Sequence, residues 1–278
     1  MKDYRMTDTE AAFIDTFGFI KFEGLVADRV ERIIEDFENV WSERGGDQYG
    51  KPHDGTIRSC IVPFIDQSEG LSSLLDDPHV NGICKSLCGD QYQFIGTDGN
   101  YYVGDTRWHS DGGWPRPVVF YKMAFYLDSL TLDTGAIRVI PGSHKYGDAY
   151  AESLEELVGN SEDAWGIHGS EVPAYAISSE PGDVIVFHQG TKHSSWGGSD
   201  HRRMFTMNFC RRYRDNEIHH LRKEVGNFSH YLLESVYGEK MLKTAGPERM
   251  RHLEQALAHQ DHLPDLVREV RESRNEVK

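Results

Sequence analysis

No stretch of this 278-residue chain approaches the roughly 18 consecutive apolar residues of a membrane-spanning helix. The most apolar run, Pro117 to Leu127, is short and carries Lys122. The first residues, Met1-Lys2-Asp3-Tyr4-Arg5-Met6-Thr7-Asp8, contain no apolar core of a signal peptide, so no secretory signal is expected. Cysteine is scarce. Cys60, Cys84, Cys88 and Cys210 do not form a dense disulfide framework. Cys84 and Cys88 stand one helical turn apart, without the second pair that a structural zinc site needs. Buried, reduced thiols and a reducing, cytoplasmic compartment are the expectation. Positive charge is also in deficit: 30 basic residues face 45 acidic ones, a net charge of −15. No basic block offsets this, which argues against nucleic acid and anionic membranes as partners. A small-molecule partner is expected instead, and the composition leaves the oligomeric state open.

The chain has ample length for one large domain, and no internal repeat or low-complexity segment divides it. Thr7-Asp8-Thr9-Glu10 reads as a capping box ahead of a helix over Ala11–Phe17. Residues 18–23 then alternate like a short strand. Val26, Val30, Ile33, Ile34 and Phe37 fall at helical spacing and predict a long amphipathic helix from Val26 to Glu43. The glycine-containing loop 45–55 is long enough to rim a pocket. From 57 to 212 the pattern changes to short strands, predicted at 57–62, 91–96, 100–104, 107–111, 117–127, 136–140, 172–177, 183–188 and 202–210. Turn signals such as Asp98-Gly99-Asn100, Pro141-Gly142-Ser143 and Pro181-Gly182-Asp183 separate them. Many short strands with Gly/Pro turns indicate a sandwich or barrel. A polar insertion, 145–170, is partly helical and is placed to cover a site. After residue 216 helical spacing returns at Met250, Leu253, Ala256 and Leu257, and again at Leu263, Leu266, Val267 and Val270. The expected organisation is a single domain: an N-terminal segment 1–56, a β core 57–215, and C-terminal helices 216–278 packed on that core.

The chemistry concentrates in Trp108-His109-Ser110-Asp111-Gly112-Gly113-Trp114 and, downstream, in Gly182-Asp183 through His193. If 107–111 is a strand, its period of two puts His109 and Asp111 on one face. A second imidazole completes a set that binds one face of a metal and leaves the other face open. That arrangement suits Fe(II) that must take a cosubstrate and O₂ together. His193 is favoured as this distal ligand over His188, which ends a strand as a core residue or orients a ligand by hydrogen bond. Past it, strand alternation divides 202–210 into two faces. Arg203, Phe205, Met207 and Phe209 form a packing face; Arg202, Met204, Thr206, Asn208 and Cys210 form a mixed, polar one. Arg202 is therefore the better candidate than Arg203 to grip a dicarboxylate by two parallel hydrogen bonds.

These residues resemble the phytanoyl-CoA dioxygenase family of Fe(II)/2-oxoglutarate oxygenases. The matching pieces are Gly18-Phe19-Ile20, His109-Ser110-Asp111, Gly135 through His144, Pro181 through His188, His193-Ser194-Ser195 and Arg202-Arg203. The resemblance implies a mainly β fold with flanking helices, a cupin-like double-stranded β-helix or jelly roll. It implies His109, Asp111 and His193 as iron ligands, with Arg202 and Ser195 binding 2-oxoglutarate. The cofactors implied are Fe(II), 2-oxoglutarate and O₂, and the products succinate, CO₂ and an oxidised substrate. His144 is a family position too, and is read here as turn chemistry. Halogenating relatives replace the carboxylate ligand with a small residue. The retained Asp111 therefore favours hydroxylation of an aliphatic C–H.

For the substrate, Tyr102, Arg107, Trp114 and Asn208 are candidate wall residues. A small polar metabolite or natural-product intermediate is favoured over an acyl-CoA, because no basic patch awaits the CoA phosphates. Two rival readings differ in kind. One is a cupin-like metalloenzyme that ignores 2-oxoglutarate, and the other is a non-enzymatic jelly-roll binding module.

Overall fold

The computed structural model describes residues 4–112 and 117–276. Among the described residues the strands run as β1 (Phe19–Phe22), β2 (Ser59–Ile61), β3 (Gln93–Phe94), β4 (Gly99–Tyr102), β5 (Thr106–His109), β6 (Phe120–Tyr126), β7 (Ile137–Val139), β8 (Tyr175–Ala176), β9 (Val184–His188), β10 (His193–Ser195) and β11 (Arg202–Cys210). The helices are α1 (Asp8–Phe17), α2 (Val30–Arg44), α3 (Glu69–Ser72), α4 (Pro78–Cys88), α5 (Ala149–Leu157), α6 (Ser161–Trp165), α7 (Ile218–Gly226), α8 (Glu239–Thr244), α9 (Pro247–Ala258) and α10 (Leu263–Glu276). Among the described residues no helix is long and apolar enough to cross a membrane.

The strands form two antiparallel sheets, the arrangement of a jelly roll. The larger has seven strands in the order β1-β9-β6-β11-β4-β2, with β3 also paired to β11; the smaller has four in the order β5-β10-β7-β8. Alternation decides what each face of the larger sheet meets. Met123 and Phe125 of β6, with Phe205, Met207 and Phe209 of β11, join a core that includes Ile33 and Phe37 of α2 and Ile83 of α4. The opposite face, with Ala124, Tyr126 and Met204, packs with Ile137 and Val139 of the smaller sheet. Phe125, Phe205 and Phe209 are fully or almost fully buried, and each such side chain contributes about 1.5–3 kcal/mol. The space left between the sheets is where a site can sit.

Local chemistry sets the element ends. Thr7 and Glu10 form the expected capping box of α1, and Gly18 ends that helix in the left-handed region at φ 85°. A Cβ at Gly18 would lie 2.5 Å from both His144 Nδ1 and Thr191 Oγ1, so this position also needs glycine for space. The strand expected over 107–111 is shorter and shifted: β5 ends at His109, and Gly112, at φ 72°, turns the chain away. Asp111 lies just past the strand, its N–H bonded to the Gln189 carbonyl at 2.8 Å. A bulge lies between β5 and β10, where His193 pairs with His109 but Ser195 pairs with Thr106.

Candidate metal centre

The bulge brings the three metal-competent side chains together. The ligating atoms of His109, Asp111 and His193 all lie within 4.8 Å of one another. His109 Nε2 is 3.8 Å from Asp111 Oδ1, and His193 Nε2 is 3.8 Å from Asp111 Oδ2. Both rings are oriented from behind. His109 Nδ1 donates to the Arg107 carbonyl at 2.8 Å, and His193 Nδ1 donates to the Thr191 carbonyl at 2.9 Å. These bonds fix the tautomer and leave each Nε2 facing the carboxylate. Burial pushes His193 down to about 4, against the pull of Asp111, so its imidazole is neutral at pH 7. Burial alone would raise the Asp111 carboxyl, but the Lys122 ammonium outweighs it and holds the carboxyl below the usual carboxylate range. Lys122 Nζ stands 2.7 Å from Asp111 Oδ2. A neutral His193 beside an ionised Asp111 is the protonation pattern a divalent metal needs, so the donor set fits Fe(II).

His188 lies elsewhere. It ends β9, its Nδ1 accepts from the Gly190 N–H at 2.9 Å, and its ring meets Tyr121 edge-on. His144 Nε2 donates to the Asp15 carbonyl at 3.1 Å beneath Gly18, a bond that ties the turn to α1.

His109, Asp111 and His193 open onto a cavity of about 420 Å³ between the sheets. Arg202 lies on its wall, only 3% exposed, with Nη1 buried and unpartnered. Burial pushes its guanidinium down from the usual arginine range. The guanidinium reaches this position because Gly135 and Gly198 have no side chains; a Cβ at either would collide with Nη1. Ser195 lines the same part of the cavity and donates Oγ–H to the Gly135 carbonyl at 2.8 Å. Arg203 points the other way and is fully engaged, with Asp128 at 2.6 Å and Glu38 at 2.8 Å. A buried, singly unsatisfied guanidinium facing a cavity fits the far carboxylate of 2-oxoglutarate.

Tyr102 and Asn208 also line the cavity. Arg107 does not, and its side chain is exposed. The bulge lets Thr106 and His109 share the inner face three residues apart, and this breaks the alternation that would place Arg107 there. Trp114 lies outside the described residues. Sequence reasoning missed several wall residues: Lys122, Gln189, Arg58 and Asp98, and from the C-terminal helices Asn227, Phe228 and Tyr231. Lys122 carried a signal, as the one charge in the apolar run 117–127, two residues before Ala124 on the same strand face. The C-terminal residues carried none. Neither the loop 45–55 nor the insertion 145–170 contributes a wall residue. The loop instead braces the wall from outside: Gln48 Nε2 donates to the Tyr231 carbonyl at 3.0 Å, and Tyr49 OH to that of His230 at 3.1 Å.

Comparison with known proteins gives a consistent picture. The family model for phytanoyl-CoA dioxygenase matches residues 14–205. The dioxygenase andF of Emericella variicolor is 25% identical over 194 residues, covering 61% of this chain and 60% of that protein. The chain thus spans about 60% of the length of the curated relative it matches. Among solved structures, the non-haem α-ketoglutarate-dependent carbocyclase SnoK from nogalamycin biosynthesis superposes with a TM-score of 0.59 at 20% identity, over 74% of this chain and 84% of SnoK. EctD from S. alaskensis with bound Fe gives 0.58 at 24%, over 76% of this chain and 79% of EctD. HygX from Streptomyces hygroscopicus with nickel and 2-oxoglutarate gives 0.57 at 14%, over 76% of this chain and 89% of HygX. At these identities the likeness to the solved structures establishes a shared jelly-roll fold.

Proposed function

The chain belongs to the phytanoyl-CoA dioxygenase family of non-haem Fe(II)/2-oxoglutarate dioxygenases, and on that premise we propose that it hydroxylates an aliphatic C–H of a small polar metabolite or natural-product intermediate. One observation carries this reading. A two-histidine, one-carboxylate donor set and a buried, unsatisfied Arg202 face the same cavity.

In this reading His109, Asp111 and His193 hold the iron. Arg202 would hold the far carboxylate of 2-oxoglutarate, and Ser195 would join it by turning its hydroxyl proton from the Gly135 carbonyl to the same carboxylate. The bound iron supplies oxidative decarboxylation of 2-oxoglutarate by O₂, with release of succinate and CO₂. The chain's own part is placement and exclusion of water, because an oxidant formed beside a misplaced C–H is wasted. Asp111 occupies the position that a halogenating site would need open, so oxygen transfer is favoured over halogen transfer. Tyr102, Asn208 and Gln189 line the remainder of the cavity, where Gln189 Nε2 donates to Asn208 Oδ1 at 2.8 Å. The volume is at the small end for ligand pockets, which supports a small metabolite over a large conjugate.

The test is anaerobic addition of 2-oxoglutarate to the Fe(II)-loaded protein. A weak visible charge-transfer band is expected in the wild type and not in Asp111→Ala. Its absence from the wild type would favour a binding module, or a metalloenzyme that ignores 2-oxoglutarate. Asp111→Ala retaining iron and full substrate-dependent succinate release would remove Asp111 from the ligand set. Succinate release across amines, amino acids, phosphonates and acyl-CoAs then identifies the substrate class.

A further inference from the structure

The three donors sit on two separate segments of chain. His109 and Asp111 flank Ser110, while His193 follows Lys192. Both segments meet one carboxylate that comes from neither. Glu155, on α5 of the insertion, accepts from Ser110 Oγ at 3.3 Å and pairs with Lys192 Nζ at 2.5 Å through the same oxygen, Oε2. Lys192 is 1% exposed, and its ammonium also donates to the Gly190 carbonyl at 3.1 Å. A buried ammonium is stable only where its charge and protons are matched, so the pair fixes the geometry of both partners.

Glu155 is itself held in place. Asp148 caps α5, accepting from the N–H groups of Tyr150 and Ala151. Leu154 packs in a small cluster with Trp108, Ile140, Val158, Val172 and Trp196, so α5 is seated against the residue that precedes His109. The Trp108 indole N–H donates to the Gly169 carbonyl at 2.7 Å, a second tie between β5 and the insertion.

We propose that Glu155 is a positioning residue for the metal centre. It fastens the segment carrying His109 and Asp111 to the segment carrying His193, so that the donor set is assembled before metal arrives. The inference rests on the reading of these three residues as the iron ligands. The insertion 145–170 adds nothing to the cavity wall and instead serves as the buttress behind the ligands.

The experiment is Co(II) titration of the purified full chain, followed by its visible absorption, with thermal unfolding of the metal-free protein alongside. The informative variant is the pair Glu155→Leu with Lys192→Met, which removes the buried ammonium together with its more exposed carboxylate partner and so does not strand a charge in the interior. It is expected to bind Co(II) about 10- to 100-fold more weakly, the range seen when groups supporting metal ligands are removed, with a changed Co(II) spectrum and a near-parental Tm. Co(II) affinity and spectrum equal to the parent's in the pair variant overturn the proposal. Should the pair variant fail to fold, Ser110→Ala cuts one arm of the clasp without touching the lysine. A weaker but measurable loss of affinity supports the proposal there, and unchanged affinity overturns it. Asp111→Ala serves as the separate check on the ligand assignment. If that variant keeps parental Co(II) affinity, the assignment itself fails, whatever Glu155 does.

Discussion

Arg202 and Arg203 are adjacent in sequence and opposite in circumstance, and the difference is one of unmet hydrogen bonds. Arg203 spends its guanidinium on Asp128 and Glu38, which hold it above the ordinary arginine range. Arg202 Nη2 has only a long 3.5 Å contact with the Gly104 carbonyl, and Nη1 has no partner. Each charge-assisted hydrogen bond to a carboxylate is worth about 1.5–3 kcal/mol. Arg202→Ala is therefore expected to raise the KM for 2-oxoglutarate at least about 10-fold. Arg203→Ala is expected to lower thermal stability while leaving that KM nearly unchanged. Steady-state succinate assays on the two variants settle the matter, and the opposite order would assign the cosubstrate to Arg203. Side-chain alternation separated the two arginines from sequence alone, because β11 is long and regular. Arg107, named as a candidate wall residue, is instead exposed, because the bulge in β5 interrupts the alternation that would have turned it inward with His109. Lys122 was legible as a charge, but not as a partner of Asp111, because the two meet only through the tertiary fold.

Elements of some length could be read from their periodicity. The capping box, α1, α2, β6, β9 and β11 lie within a few residues of their predicted places, since each buries a continuous face. β3 and β8 are two-residue strands inside the longer spans expected at 91–96 and 172–177, while β10, three residues long, was not predicted, because a pattern with period two cannot declare itself over such a span. How elements meet was illegible as well, and one such junction has a consequence for pH. Asp66 is 1% exposed. It accepts from the Gly238 N–H at 2.8 Å, at the start of α8, and its other oxygen has no partner. Burial pushes its carboxyl up to about 7 from 3.8. The folded state therefore favours the protonated form, so this group's stabilisation is complete below about pH 4 and is lost as pH rises to about 7. The slope is about 1.4 kcal/mol per pH unit within that window, a total on the order of 4 kcal/mol. Asp66→Asn cannot ionise, so its stability relative to the parent should increase from pH 4 to pH 8. Urea unfolding of both proteins at several pH values measures this. A stability difference that stays constant across the window would show that Asp66 is ionised in the fold.

At the scale of the whole molecule, the family match ends at residue 205 while the cavity does not. Asn227, Phe228 and Tyr231 line it, and Leu232 follows them in the left-handed region at φ 59°. A branched side chain accepts that conformation only where its surroundings dictate it. No motif marks this wall, so it was the least legible part of the cavity from sequence. The C-terminal helices are bound into the rest as firmly as one element of a core is to another. His252 of α9 stacks on Tyr92 at 3.7 Å between ring centroids, and its Nδ1 donates to the Tyr92 carbonyl at 3.0 Å. Gln93, which opens β3, donates to the His252 carbonyl at 2.6 Å. Leu253 and Val267 belong to the same buried cluster as Ile14, Phe37 and Phe209, which come from the N-terminal segment and the β core. A cluster drawn from all three segments cannot lose one of them without exposing the other two to water. We therefore expect the full chain to unfold in one cooperative transition, with calorimetric and van't Hoff enthalpies that agree. A fragment ending at residue 215 should fail to fold, because Tyr92, Phe94 and the outer face of β11 would lose their cover. Two resolved heat-absorption peaks, or a fragment 1–215 that folds and binds metal, would mean that the C-terminal helices are a separate unit resting on a finished jelly roll.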